Sequence, residues 1–284
     1  MKQLFIGSEG TLGLITGVSI ITPKRSIVSL PLYIHNPILI LLQATNVALL
    51  AVPTFEGVQE VFKKTREHLG EILSAYEFMD QESFKLSLHH QGGASPIEQP
   101  EERTFYVLIE TSGSNKEHDD EVRLYLFGCL SADRMLFSQK LTGLLEHLLE
   151  SETVSDGVLA DNETQLQSLW ALREGVAEAA GKAGKVYKYD LSIPVKEMYD
   201  VIEAVRERFK EKGMFESGMI KDVVGYGHMG DGEWAVVVSV YQLILRARSF
   251  TGNIHVNVVA SKFDSAVEDA IEPWIYEWVG KQSR

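Results

Sequence analysis

The sequence is short of several things that would steer it toward particular functions. It holds one cysteine, Cys129, in 284 residues. An internal disulfide framework and any multi-cysteine zinc or iron–sulfur site are therefore excluded, and nothing requires an oxidising compartment. A metal site would have to use histidines and carboxylates. Basic side chains are scarce beside acidic ones, 27 Lys and Arg against 40 Asp and Glu, for a formal net charge of −13. The summed field repels phosphate backbones and anionic membrane surfaces, which argues against nucleic acid as a partner. No membrane span is expected. The one candidate, residues 37–55, is interrupted by Gln43, Thr45, Asn46 and Pro53, whereas a spanning helix needs about 20 mostly apolar residues. A buried strand or a disordered insertion is the favoured reading. The first residues show neither an Arg/Ser-rich amphipathic stretch nor an apolar core followed by a small-residue cleavage site, so no import signal is visible.

What remains is the balance of an ordinary globular protein of one or two domains, 45% hydrophobic and 24% charged. Residues 14–22 (LITGVSIIT) are β-branched and stop before Pro23, as a strand does where the ladder loses a donor. Just ahead, Gly7-Ser8-Glu9-Gly10-Thr11-Leu12-Gly13 sets three glycines among hydroxyls. Such a turn lets backbone N–H groups approach an anion, although a turn and nothing more is the commoner outcome. Strands are expected at 46–52, 71–80, 105–111, 186–193 and 222–226. Helices are expected at 54–69, 140–149, 164–183 and 195–210, where apolar residues recur at helical spacing. Strands and helices interleave without a visible repeat. The economical fold is α+β: a mostly antiparallel sheet with helices on one face.

The most informative feature is a pair of histidines, His228 in GYGHMGDG and His255 in NIHVN, 27 positions apart. Between them runs EWAVVVSVYQLILRARSFTG, residues 233–252. Without that run the chain would read GHMGDGNIHVN, with the imidazoles seven apart. A strand end and adjoining loop could then aim both at one divalent ion, zinc or another first-row metal, with Asp231 or Asn257 as neighbours.

That joined motif, the opening FIGSEGTLG, the segments YEFMD, YVLIETSGSN, LWALREG and VYKYDLSIPV, and the ending EPWIYEWV together resemble the D-2-hydroxyglutarate dehydrogenases, FAD-dependent enzymes of the vanillyl-alcohol-oxidase type. The likeness spans nearly the whole chain. It implies that residues 1–25 are the tail of an FAD-binding domain. Residues 26–284 would be a substrate- and metal-binding unit resembling the C-terminal domain of FAD-linked oxidases. By the resemblance, Ser8, Glu9, Gly10, Thr11 and Gly13 fall in the flavin-contacting turn. Arg173 and Lys188 fall where the substrate's carboxylates are held, Asn257 at a substrate-contacting amide, and His228 and His255 at metal ligands. The chemistry is consistent: a dicarboxylate with a C2 hydroxyl calls for two separate cations, a planar Arg that clamps one carboxylate and a Lys that offers a point charge to the other. Mitochondrial location, a protein electron acceptor and a homodimer are further expectations of the resemblance. Taken singly, Arg173 also reads as a solvated helix charge and Lys188 as an edge-strand gatekeeper.

The sequence also departs from the family pattern. The resemblance implies a flavin domain ahead of Met1 and a Ser-Ala-Glu-His-Gly segment beyond Arg284 that supplies a third metal ligand and a candidate general base, neither of which falls within these 284 residues. Ala177 stands where a hydroxyl side chain is expected. The isolated chain is accordingly expected to be catalytically inactive. Three runs, 28–43, 122–139 and 233–252, look foreign to the pattern, and their removal gives PKRSI-ATNVALL, HDDE-KLTGLLEH and GHMGDG-NIHVN. Each begins with residues whose codons permit an intron donor. The first two end in Gln, whose CAG codon permits an acceptor, and the third ends Phe-Thr-Gly, permitting TTTACAG|G. Introns retained in frame are the preferred reading, with genuine loops as the alternative. The functional expectation is a portion of an FAD-dependent D-2-hydroxyglutarate dehydrogenase. A D-lactate dehydrogenase of the same superfamily and a non-catalytic α+β binding module are the alternatives.

Overall fold

The computed structural model describes residues 11–17, 45–97, 104–112, 132–234 and 249–282, with the side chains of 132–140, 231–234, 249–251 and 282 left aside. The chain divides into two compact units, Met1–Gln43 and Ala44–Arg284. In the first, Thr11 and Leu12 form a bend and residues 13–17 are unpaired and exposed. The strand expected at 14–22 is thus not formed over its described part, and residues 18–22 lie outside the description. Cys129, the run 28–43, and residues 122–131 and 235–248 of the other two runs also lie outside it.

The second unit is built on seven strands: β1 (Thr45–Val52), β2 (Leu73–Met79), β3 (Phe105–Ser112), β4 (Asp156–Leu159), β5 (Lys185–Pro194), β6 (Ile220–Trp234) and β7 (Ser249–Ala260). They form one sheet in the order β4-β1-β3-β2-β6-β7-β5, and every neighbouring pair is antiparallel. The described helices are α1 (Phe55–Leu69), α2 (Gln81–Gln91), α3 (Ala132–Glu150), α4 (Glu163–Glu174), α5 (Val176–Ala183), α6 (Asp200–Glu211), α7 (Ser265–Ile271) and α8 (Trp274–Gln282).

The expected antiparallel α+β unit is present, and its helices occupy both faces of the sheet rather than one. The reason is visible in β1, which is buried along almost its entire length. Ala48, Leu50 and Val52 join one apolar cluster with Val58, Val61 and Phe62 of α1 and Val201, Ile202 and Val205 of α6. Val47, Leu49 and Ala51 point the other way, into a cluster with Phe84 of α2 and Leu169 and Leu172 of α4. A strand apolar on both faces has to be covered on both. Residues 45–52 of the apolar segment 37–55 are therefore a core strand, and among the described residues no helix is long and apolar enough to cross a membrane.

Local signals account for most boundaries. Thr54 caps α1 by accepting the Gly57 N–H at 3.0 Å, and Asp80 caps α2 by accepting the Ser83 N–H at 2.8 Å. The helix expected over 164–183 is split at Gly175 into α4 and α5. Ser87 of α2 donates its hydroxyl to the Leu172 carbonyl at 2.6 Å, the group that a continuous helix reserves for the Val176 N–H. A Cβ at position 175 would stand 2.9 Å from that hydroxyl, so the glycine lets α2 approach. The helix expected from 195 begins as one 3-10 turn, Val195–Glu197, and becomes α6 only at Asp200.

Candidate functional site

Strand alternation sorts β5, β6 and β7 cleanly. Leu191 and Ile193 of β5 and Ile254, Val256 and Val258 of β7 enter the core; the residues between them, Lys188, Asp190, His255 and Asn257, are raised on the opposite face with Tyr226 and His228 of β6. The register then fixes who meets whom. Glu77 of β2 stands opposite His228, His228 opposite Asn253, and Tyr226 opposite His255. On the other side of β7, His255 stands opposite Asp190 and Asn257 opposite Lys188. His255 is two residues beyond Asn253 on the same face, which makes the two imidazoles diagonal neighbours, a relation with Cβ atoms within about 8 Å. A separation of 27 positions in sequence is thereby closed by strand pairing.

Two glycines make this face possible. Gly225 and Gly227 alternate with Tyr226 and His228 and point to the core side. A Cβ on Gly225 would lie 2.6 Å from Ile202 of α6, and one on Gly227 would lie 2.1 Å from the Asn253 carbonyl oxygen. Their absence of side chains lets α6 and β7 close in while the aromatic and imidazole side chains remain on the other face.

Arg173 reaches the same face from the last turn of α4. Its Nε donates to Glu77 Oε2 at 2.9 Å and its Nη2 is ion-paired with the same oxygen at 2.8 Å, and its guanidinium carbon lies 4.7 Å from the Tyr226 ring centre. Both partners are largely buried, with 12% and 15% of their side chains exposed. Burial pushes the Glu77 carboxyl above its usual range, opposed by the charge of Arg173 and then of the two histidines. The helix is held at a second point, where Trp170 Nε1 donates to Glu110 Oε2 at 2.8 Å. Asn257 is buried and donates from Nδ2 to the Tyr226 hydroxyl at 3.1 Å; burial raises that phenol's pKa. His255 packs its ring 4.8 Å from that of Tyr226 and hydrogen-bonds through Nδ1 to the Asp190 carboxylate.

The residues singled out from sequence therefore divide. Arg173, Lys188, Asn257, His228 and His255 share one face of one sheet. Lys188 is exposed and, among the described residues, its side chain makes no hydrogen bond or ion pair. Thr11 and Gly13 belong to the first unit, and Ser8, Glu9 and Gly10 lie outside the description. Asp231 is in β6, its side chain outside the description, and Ala177 is half-buried on α5. Four participants went unnoticed from sequence: Glu77, Tyr226, Asp190 and Asn253. A period-two signal exists for three of them, since Asp190 is two from Lys188, Tyr226 two from His228 and Asn253 two from His255; Glu77 has none. Among the described residues no three His, Cys, Asp or Glu side chains converge on one point that could hold a metal ion.

Comparison with known proteins fits this architecture. A putative mitochondrial D-lactate dehydrogenase of Schizosaccharomyces pombe is 42% identical over 99% of this chain and 44% of its own length. A mitochondrial D-2-hydroxyglutarate dehydrogenase of Rattus norvegicus is 39% identical over 99% of this chain and 41% of its own. The chain thus spans less than half the length of these relatives. Among solved structures, an alkyldihydroxyacetonephosphate synthase shares the fold with a TM-score of 0.51 at 12% identity, over 85% of this chain and 40% of that one. Residues 41–283 match the family model of FAD linked oxidases, C-terminal domain, and the chain belongs to that family.

Proposed function

We propose that this chain is the substrate-binding portion of an FAD-dependent dehydrogenase that oxidises D-2-hydroxyglutarate to 2-oxoglutarate. The observation that carries the reading is the shared face: two cations on separate elements, Arg173 on α4 and Lys188 on β5, flank Asn257 and the paired histidines. Glu77 occupies the Nε edge of Arg173, leaving Nη1 and the second Nη2 proton for a ligand carboxylate. Lys188, exposed on the strand, suits the second carboxylate, and Asn257, oriented by Tyr226, suits an oxygen near C2. A bound flavin would supply a hydride acceptor for C2, and a bound divalent ion would supply Lewis acidity toward the C2 hydroxyl.

The residues fit a divalent ion as a partial donor set. His228 and His255 offer two imidazole nitrogens, and Asn253 Oδ1, on the same face, is a buried acceptor without a hydrogen-bond partner in the described structure. Borderline-soft zinc suits such donors, and the remaining positions would fall to groups other than the described side chains. The residues 8–13 turn is proposed to contribute a rim of the FAD site, and a protein electron acceptor, a homodimer and a mitochondrial location complete the proposal. The location rests on the names of the relatives.

A D-lactate dehydrogenase is the second reading, favoured by the name of the S. pombe relative. Lactate has one carboxylate and no use for Lys188. In the FAD-loaded enzyme carrying this chain, Lys188→Ala should lower kcat/KM for D-2-hydroxyglutarate about 100-fold while changing that for D-lactate little, as expected for a charge-assisted contact. Equal losses for both substrates would remove the dicarboxylate assignment.

A further inference from the structure

The mostly exposed carboxylate of Asp190 has no part in the substrate site just proposed, yet it is the direct cross-strand partner of His255. Its Oδ1 is hydrogen-bonded to His255 Nδ1. A carboxylate only accepts, so the proton in that bond belongs to Nδ1 and the neutral ring keeps its lone pair on Nε2. The ring is held on a second side by Tyr226, 4.8 Å between centres at 35°, and Tyr226 is itself held by Asn257 and by the guanidinium of Arg173. Orientation and tautomer are therefore both set by neighbours, in the arrangement that metal-binding histidines commonly use.

We propose that Asp190 is a positioning residue that keeps the proton of His255 on Nδ1 and presents Nε2 as the electron-pair donor on the site face. This deepens the metal reading above and rests on it only for the identity of the acceptor. Asp190 makes its contribution through His255 and touches neither ligand nor ion. Its place in the sequence explains how one strand serves two purposes. Lys188 and Asp190 are alternate residues of β5 on one face, and their partners Asn257 and His255 are alternate residues of β7. One strand pairing thus delivers a cation beside the amide and an anion beside the imidazole.

The test uses the whole chain labelled with 15N-histidine. Long-range 1H–15N spectra at pH 8 report each ring's tautomer, and titration with zinc ion alone against a chromophoric chelator reports affinity. Asp190 has 67% of its side chain exposed, so Asp190→Ala should leave the amide spectrum of the fold in place. His255 is expected in the Nδ1–H form in the wild type and in Asp190→Asn, which keeps an acceptor. In Asp190→Ala it should move toward the Nε2–H form that free imidazole side chains prefer. Zinc affinity should fall about 10- to 100-fold in Asp190→Ala and be largely restored in Asp190→Asn. An unchanged His255 tautomer in Asp190→Ala overturns the proposal whatever the zinc result. An altered tautomer with unchanged zinc affinity overturns the claim that Nε2 serves the metal. A wild-type chain that ignores zinc, or binds it equally well as His228→Ala, overturns the metal reading instead, and the tautomer shift then decides the role of Asp190 alone.

Discussion

His228 stands directly opposite Asn253 in the β6–β7 ladder, and this pairing brackets the run that separates the two histidine motifs. With residues 233–252 removed, Asn253 would follow Gly232, and the pair would be closed by the four residues Met229, Gly230, Asp231 and Gly232. Four-residue loops are ordinary hairpin connections, and Gly230 already has a positive φ of 103°. We propose that the run is dispensable to the site. A chain lacking 233–252 should unfold cooperatively and retain the amide shifts of 220–228 and 253–260. Loss of those signals would show that the run is part of the fold.

The Arg173–Glu77 pair should matter for stability as well as for binding. Replacing Glu77 by Ala leaves a largely buried guanidinium whose remaining neighbour among the described residues is the Tyr226 ring, and removal of one partner from such a pair costs about 3 kcal/mol. Urea denaturation should show this loss. Glu77→Gln, which preserves one acceptor oxygen, should lose less. A Glu77→Ala midpoint equal to that of the wild type would mean that the pair is solvated and does not anchor α4.

Gly227 is constrained by backbone and not by a movable side chain, since its added Cβ would fall 2.1 Å from a carbonyl oxygen. Gly227→Ala is expected to cost about 2 kcal/mol, as overpacking does in well-packed interiors, and to shift the His228 and His255 ring signals together. Thermal unfolding and histidine spectra of the variant check both expectations. A neutral substitution would indicate that β6 and β7 separate more easily than the ladder shows.

Burial raises the Asp222 carboxyl to about 6, against the hydrogen bond it accepts from the Val223 N–H. A raised acid binds its proton in the folded state at a pH where the unfolded chain has released it. Its contribution to stability is therefore largest below the unfolded value near 4 and is lost as pH rises through about 6. Asp222→Asn should be more stable than the wild type at pH 7, and the gap should narrow between pH 6 and pH 4. Parallel melting curves across that range, with a constant gap, would contradict the shift.

Part of this architecture could be read from the chain alone, and part could not. The strands β1, β3 and β5 follow from apolar or alternating runs, and α1 from its stripe of Phe55, Val58, Val61 and Phe62. The four candidates on strands, Lys188, His228, His255 and Asn257, share a face because period-two alternation survives in β5, β6 and β7, and Arg173 joins them from α4. The Glu77 contact to Arg173 was invisible because its partners are 96 positions apart and nothing local marks a salt bridge. The helix α2 leaves little periodic signal because its apolar residues are few, although its ends are marked by the Asp80 cap and by Gly92 at φ 66°. The break at Gly175 depends on a hydroxyl from that same unrecognised helix.

The central claim is that one sheet face holds a doubly anionic hydroxy acid. The most direct measurement titrates D-2-hydroxyglutarate into the isotope-labelled chain and follows the side-chain signals of Arg173, Asn257, His228 and His255. Saturable shifts at these four, weakened in Arg173→Ala and in Lys188→Ala, are the expected result. Saturable binding whose shifts map to any other surface, or shifts at this face that both alanine variants leave unchanged, would contradict it.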